Sequence, residues 1–199
     1  MNLVIDIGNT AVKVAVFKEE DLVFQERSDI DTLELRMMSL YKRYSIQYAI
    51  VSNVSKLPET LMDALSRQYS LHILTHNSKV PFKNCYATPE TLGVDRIALA
   101  SAASYQFPDK NVLIIDAGSC ITYEFINAEN NYLGGAISPG IQMRYKALHT
   151  FTGHLPLLQP DIFSDVTGNT TASSIHSGIL NGIINEIEGI IAQYKEKYA

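Results

Sequence analysis

The sequence predicts a mixed α/β protein of two similar lobes, each opening on a strand that carries an aspartate into a tight turn. Three observations lead there. An apolar run ends in Asp6-Ile7-Gly8-Asn9. The same pattern returns about half the chain later as Asp116-Ala117-Gly118-Ser119. Between them, helical and strand-like periodicities alternate, as expected of an α/β lobe.

In chain order, Leu3 to Ile7 and the alternating stretch from Ala11 to Phe17 read as a β-hairpin closed by the Gly-Asn turn. Apolar spacing favours helices near 31–44, 58–69 and 89–106, interleaved with short strands near 47–52 and 71–75. Val112 to Ile115 delivers Asp116, and Cys120 to Ile126 completes a second hairpin. Tyr132 to Gly140 is a short strand punctuated by glycines and Pro139, ahead of a helix running toward Phe151. Residues 152–168 read as loop, and Ile175, Ile179, Ile183 and Ile187 mark one long helix from Thr171 to Tyr198. The lobes are accordingly placed at 1–110 and 111–199.

Bulk properties narrow the function. A net charge of −5 over 199 residues gives no broad basic field, so neither nucleic acid nor an anionic membrane is an expected partner. No basic leader, cleavage site or bilayer-length apolar run occurs, which predicts a cytoplasmic protein. There the acceptor-like tripeptides at Asn53 and Asn169 stay unglycosylated and the two cysteines, Cys85 and Cys120, stay reduced. The five histidines show no metal-ligand spacing. GxSxG, GxxxxGK[ST] and GxGxxG are all absent, which disfavours serine hydrolases, Walker-type ATPases and dinucleotide oxidoreductases.

Phosphate chemistry remains the best use of the two turns. In Asp6-Ile7-Gly8-Asn9-Thr10-Ala11-Val12-Lys13, turn N–H groups, a hydroxyl and an ammonium can together hold phosphate oxygens. Asp6 repels phosphate directly and suits Mg²⁺, bound by its carboxylate or through water. A lysine charge about 4 Å from a phosphate contributes on the order of 4 kcal/mol at an effective dielectric of about 20, before desolvation. The same residues also suit a plain hairpin turn with Lys13 in solvent. The second motif adds Asp116, Ser119 and Thr122, and two such turns are better explained by a shared polyphosphate than by coincidence. Gly93-Val94-Asp95-Arg96 sets an acid and a base where an apolar helix begins; an Asp opposing the helix dipole beside a surface Arg is the plainer alternative.

Together these stretches resemble the type III pantothenate kinases, of the superfamily that includes actin and the sugar kinases. The resemblance spans nearly the whole chain and includes Gly134-Gly135-Ala136-Ile137-Ser138-Pro139-Gly140, similar to that family's subunit-interface motif. It implies two ribonuclease H-like (actin-like) lobes with an ATP cleft between them. It also implies ATP-dependent phosphorylation of pantothenate to 4'-phosphopantothenate, the first step of coenzyme A biosynthesis.

By resemblance, Asp95 is the catalytic base, and Tyr86, Gly93, Val94, Asp95, Arg96 and Thr171 meet pantothenate, Thr171 from a neighbouring subunit. Asp6, Ile7, Gly8, Asn9, Thr10, Ala11, Val12, Lys13 and Ser119 bind ATP. Asp116 holds a monovalent cation, K⁺ or NH₄⁺, and Asp6 serves Mg²⁺. A homodimer with its pocket at the subunit interface follows from the same resemblance. Family members continue past the last helix into a further strand and a glycine-bearing turn, whereas this chain stops at Ala199, so a second lobe shortened at its C-terminus is expected. Two other readings stay open: a sugar kinase or other enzyme of the same fold, and a noncatalytic nucleotide-binding regulator.

Overall fold

A computed structural model of the chain describes residues 1–8, 11–54, 59–162 and 165–198. It divides into two compact units, one of residues 1–81 and 87–101, the other of 82–86 and 102–199. The architecture is mixed α/β, with two sheets and five α-helices among the described residues.

The first unit is a five-stranded sheet. Strands β1 (Asn2–Ile7), β2 (Val12–Lys18) and β3 (Asp21–Ser28) form an antiparallel meander, and β4 (Tyr48–Asn53) and β5 (Ser70–Ile73) extend it in parallel, in the order β3-β2-β1-β4-β5. Parallel pairing demands crossover connections, and α1 (Leu33–Arg43) and α2 (Glu59–Gln68) supply them. The period-two pattern buries Leu3, Ile5 and Ile7 of β1 and Val12, Val14 and Val16 of β2 on one face. Leu33, Met37 and Leu40 of α1 and Leu61 and Leu65 of α2 recur at helical spacing and close that core. Each such side chain contributes roughly 1.5–3 kcal/mol on full burial. The opposite face carries Val4, Asp6 and Ile50, all half-buried.

The second unit repeats the meander. Strands β7 (Val112–Ala117), β8 (Cys120–Ile126) and β9 (Asn131–Pro139) are antiparallel, and the short β6 (Lys83–Asn84) joins β9 in parallel, in the order β6-β9-β8-β7. That pairing is why residues 82–86 go with this unit. Strand β8 is buried throughout from Ile121 to Ile126. The long α5 (Thr171–Tyr198) lies on it through Phe125, whose ring sits 4.2 Å from that of Tyr198 and 5.1 Å from that of Tyr194. Helix α4 (Ile141–Thr150) meets α5 through Tyr145, Ile175 and Ile179.

Three elements differ from expectation, the first being the two-residue β6, too short to show any periodicity. β3 has no counterpart in the sequence reading, because as an edge strand it keeps Asp21, Leu22, Val23, Gln25 and Arg27 exposed and shows no apolar alternation. The single helix expected over 89–106 is two segments, a 3₁₀ turn at Pro89–Thr91 and α3 (Val94–Gln106). Leu92 between them is extended, at φ −69° and ψ 122°. Helix α3 begins in the first unit and ends in the second.

Candidate functional site

In the first unit, Asp6 sits near the C-terminal end of β1, paired across the sheet with Lys13 of β2 and with Ser52 of β4. Cross-strand partners share a face, so a carboxylate, an ammonium and a hydroxyl are lined up side by side. Lys13 Nζ is 3.5 Å from Asp6 Oδ2, with side chains 58% and 36% exposed. An ion pair this open contributes less than about 1 kcal/mol to stability and leaves both charges accessible to a ligand. The turn that follows is closed by the Gly8 N–H donating to the Ala11 carbonyl at 3.1 Å. Asn9 and Thr10, expected in the ATP site, lie outside the described residues.

At the start of α3, the Asp95 carboxylate accepts the backbone N–H of Arg96 at 2.9 Å and lies directly over Gly93. A Cβ at Gly93 would fall 2.4 Å from Asp95 Oδ1, so the absence of a side chain there makes room for the carboxylate. Arg96 is only 6% exposed, which rules out the solvent-facing surface pair. Val94 at the helix N-terminus is half-buried beside them.

The second unit holds the matching constellation. Asp116 near the end of β7 pairs with Thr122 of β8, and the turn between them is closed by the Gly118 N–H donating to the Cys120 carbonyl at 2.9 Å. Ser119 is exposed at that turn. Gly140, at the end of the glycine-rich strand, presses against it: a Cβ there would lie 2.3 Å from the Ser119 carbonyl oxygen and 2.5 Å from that of Gly118. Thr171 is exposed at the first position of α5. Thr170 and Ser173 hold that helix start with a reciprocal cap, the Ser173 N–H donating to Thr170 Oγ1 at 3.1 Å and the Thr170 N–H to Ser173 Oγ at 2.9 Å. Tyr86 follows β6 and belongs to this unit as well.

Each aspartate has a buried hydroxyl opposite it. Among the described residues Ser52 Oγ, Tyr69 Oη and Thr122 Oγ1 are shielded from solvent and have no hydrogen-bond partner, and Ser52 and Thr122 stand opposite Asp6 and Asp116. Leaving such a group unmet costs about 1–3 kcal/mol, a cost that a ligand or cation at the neighbouring carboxylate can offset. Thr122 was visible in the sequence motif, and Ser52 was not. Its signal is position, because sites on parallel sheets gather at the carboxyl ends of strands, where β1 and β4 finish together.

These oxygens bear on which ions fit. Among the described residues no three His, Cys, Asp or Glu side chains cluster to cage a metal. Mg²⁺ needs no cage, since it takes one or two carboxylates and completes its shell with phosphates and water, and Asp6 meets that requirement. Asp116 with the unpartnered Thr122 hydroxyl offers the hard oxygen donors a monovalent cation prefers.

A polar network invisible in the sequence ties this unit together. Arg144 of α4 donates to the Pro139 carbonyl at 2.8 Å, to Ser138 Oγ at 3.0 Å and to Glu186 of α5 at 2.5 Å, while Tyr123 Oη donates to the same carboxylate at 2.9 Å. Burial pushes the Glu186 carboxyl up, but hydrogen bonds from Arg144, Ser138 and Tyr123 and the Arg144 charge outweigh it and hold the group below its ordinary value. Burial and Glu186 together push the Tyr123 phenol up to about 12. A depressed carboxyl stabilises the fold above its unfolded value and ceases to do so as pH falls through the lowered one. Glu186→Gln is therefore expected to lose about 1–3 kcal/mol at neutral pH. The deficit should shrink on acidification below the ordinary carboxylate range, as read by Tm scans across that range.

Comparison with known proteins bears on what this arrangement serves. A family model described as type III pantothenate kinase matches residues 2–193. A protein of that name from Christiangramia forsetii is 49% identical over 100% of this chain and 82% of its own length. Those from Flavobacterium johnsoniae and Bacteroides fragilis are 42% and 44% identical with the same coverage. A crystal structure from Campylobacter jejuni, described as a "Baf family transcriptional activator", superposes with a TM-score of 0.56 at 26% identity, covering 94% of this chain and 78% of that one. Matched over residues 2–193 by that model and over its whole length by relatives of that name, the chain belongs to the type III pantothenate kinase family.

Proposed function

We propose the following division of labour for this family's reaction, the transfer of the ATP γ-phosphoryl group to pantothenate that opens coenzyme A biosynthesis. The fold is the actin-like one, with lobes 1–110 and 111–199, each carrying an aspartate turn suited to phosphate. Lys13, the N–H groups of the turn from Asp6 to Val12, and Ser119 bind phosphate oxygens. Arg96 grips the pantothenate carboxylate through two parallel hydrogen bonds, with Tyr86, Gly93, Val94 and the neighbouring subunit's copy of Thr171 completing the pocket of a cytoplasmic homodimer.

The pantothenate hydroxyl oxygen bonds to the γ-phosphorus while the bond to the β-phosphate oxygen breaks. ADP leaves with that electron pair, and the hydroxyl proton passes to Asp95. Carboxylates are weak bases for alcohols, so the proton moves late, and positioning and charge neutralisation carry most of the rate. Mg²⁺ at Asp6 and K⁺ or NH₄⁺ at Asp116, when bound, neutralise charge on the phosphates.

The observation that supports this assignment most directly is the Asp95 carboxylate fixed over Gly93 beside the buried Arg96. A solvated helix-start acid needs neither the cleared space nor a buried guanidinium. A coupled assay of ADP release tests the whole reading. Release is expected to depend on pantothenate and to fall at least about tenfold when potassium is replaced by sodium. Release with sugars but not pantothenate would point to another acceptor. ATP binding with no turnover of any acceptor would point to a noncatalytic regulator.

A further inference from the structure

We propose that Gly134, Tyr132 and Glu124 form a seat that holds the Tyr86 ring, so that these three residues set pantothenate affinity without touching the substrate. The proposal rests on the reading of Tyr86 as a pantothenate contact.

The seat is visible atom by atom. Gly134 is buried and has φ +102°, a conformation that side chains rarely adopt. A Cβ there would lie 3.2 Å from Tyr86 Cδ2 and 3.3 Å from Cε2, so the ring rests against the bare α-carbon. The ring of Tyr132 forms the next wall, with centroids 6.2 Å apart and planes inclined at 41°. Tyr132 is fully buried, and its hydroxyl donates to the carboxylate of Glu124, which is also fully buried. The backbone beneath is pinned as well. The Tyr86 N–H donates to Asn84 Oδ1 at 2.9 Å, and the Cys85 N–H donates to the Tyr132 carbonyl at 3.0 Å.

Packing alone does not account for this arrangement. A carboxylate out of contact with water is costly to bury, and an apolar residue at position 124 would stabilise a plain core more cheaply. Glu124 instead fixes the tilt of Tyr132, and Tyr132 fixes Tyr86, which keeps part of its ring exposed. A rigid aromatic wall contacts a ligand at little entropic cost. The adjacent Gly135 has a different task. A Cβ there would strike the Tyr123 carbonyl at 1.6 Å, so that glycine serves close strand packing. Of the pair, only Gly134 faces Tyr86.

The test is a double-mutant cycle on steady-state kinetics, with calorimetric binding of pantothenate alongside. Gly134→Ala is expected to raise KM and Kd for pantothenate about tenfold, with KM for ATP and kcat within about threefold. Tyr86→Ala should raise pantothenate KM by a similar factor, and adding Gly134→Ala to it should change little more.

An equal further loss in the Tyr86→Ala background would overturn the seat, as would an unchanged pantothenate KM in Gly134→Ala alone. If Tyr86→Ala itself leaves pantothenate KM unchanged, the reading of Tyr86 fails and this proposal falls with it. Should Gly134→Ala not fold, Tyr132→Phe removes only the hydroxyl that meets Glu124. It is expected to raise pantothenate KM about threefold with KM for ATP unchanged, and no change in either would equally overturn the seat.

Discussion

Asp95→Asn should lower kcat by about 10²-fold to 10⁴-fold while KM for ATP and pantothenate moves only a few-fold. The amide has the size of the carboxylate, and its oxygen can still accept the Arg96 backbone N–H, so the geometry over Gly93 survives. What is lost is the ability to take a proton from the attacking hydroxyl. The loss should therefore appear in turnover and be nearly absent from binding. Coupled ADP release at saturating substrates reads kcat, and calorimetric titration with pantothenate reads binding. Near-normal turnover would remove Asp95 from the role of base, and weakened binding with intact kcat would make it a substrate ligand instead.

The second large effect concerns Lys13. Its ammonium stands 3.5 Å from Asp6 and more than half exposed, a placement that adds little to stability. Against a triphosphate the balance changes, because an ammonium at contact distance is worth on the order of 4 kcal/mol at an effective dielectric of about 20, before desolvation. Lys13→Met is expected to reduce kcat/KM for ATP by about 10²-fold to 10³-fold, with pantothenate affinity and Tm close to wild type. Rising salt should weaken ATP binding to wild type more than to the variant. A variant with unchanged ATP kinetics but a lowered Tm would make the Lys13–Asp6 pair structural and remove the lysine from the nucleotide site.

The parts of the fold legible in the sequence are those in which local pattern and tertiary burial agree. The β1-β2 and β7-β8 hairpins could be read because apolar strands end in an acid and a tight turn, with β1, β2 and β8 supplying buried core residues and β7 half-buried. Helix α5 was legible for the same reason, its isoleucines recurring at the spacing that places Ile175 and Ile179 against α4. β3 escaped notice because its pairing comes from backbone hydrogen bonds to β2 and demands almost no apolar side chains. Leu92 broke an expected helix because its extended backbone follows from the turn that aligns Gly93 with Asp95, which apolar periodicity does not encode.

In the site, the residues that carry charge were legible and the residues that hold them were not. Asp6, Lys13, Asp95, Arg96 and Asp116 lie in short motifs whose chemistry is local, so one stretch of chain is enough to name them. Ser52 becomes relevant only when β4 pairs with β1, and Glu186 only when α5 lies across β8 and meets Arg144 and Tyr123. Gly134 belongs to a motif visible in the sequence, yet its contact with Tyr86 depends on β6 adding to β9.

The sequence by itself determined the mixed α/β class and the repeat of an aspartate-bearing hairpin, and it singled out charged groups as candidates for phosphate, cation and carboxylate, because each of these is written in neighbouring residues. Only the tertiary structure decided which hydroxyls stand beside those aspartates, which buried carboxylate steadies which aromatic ring, and that Arg96 is buried. Such pairings bring together residues far apart in the chain, and their energies arise from burial and contact, which no short window of sequence contains.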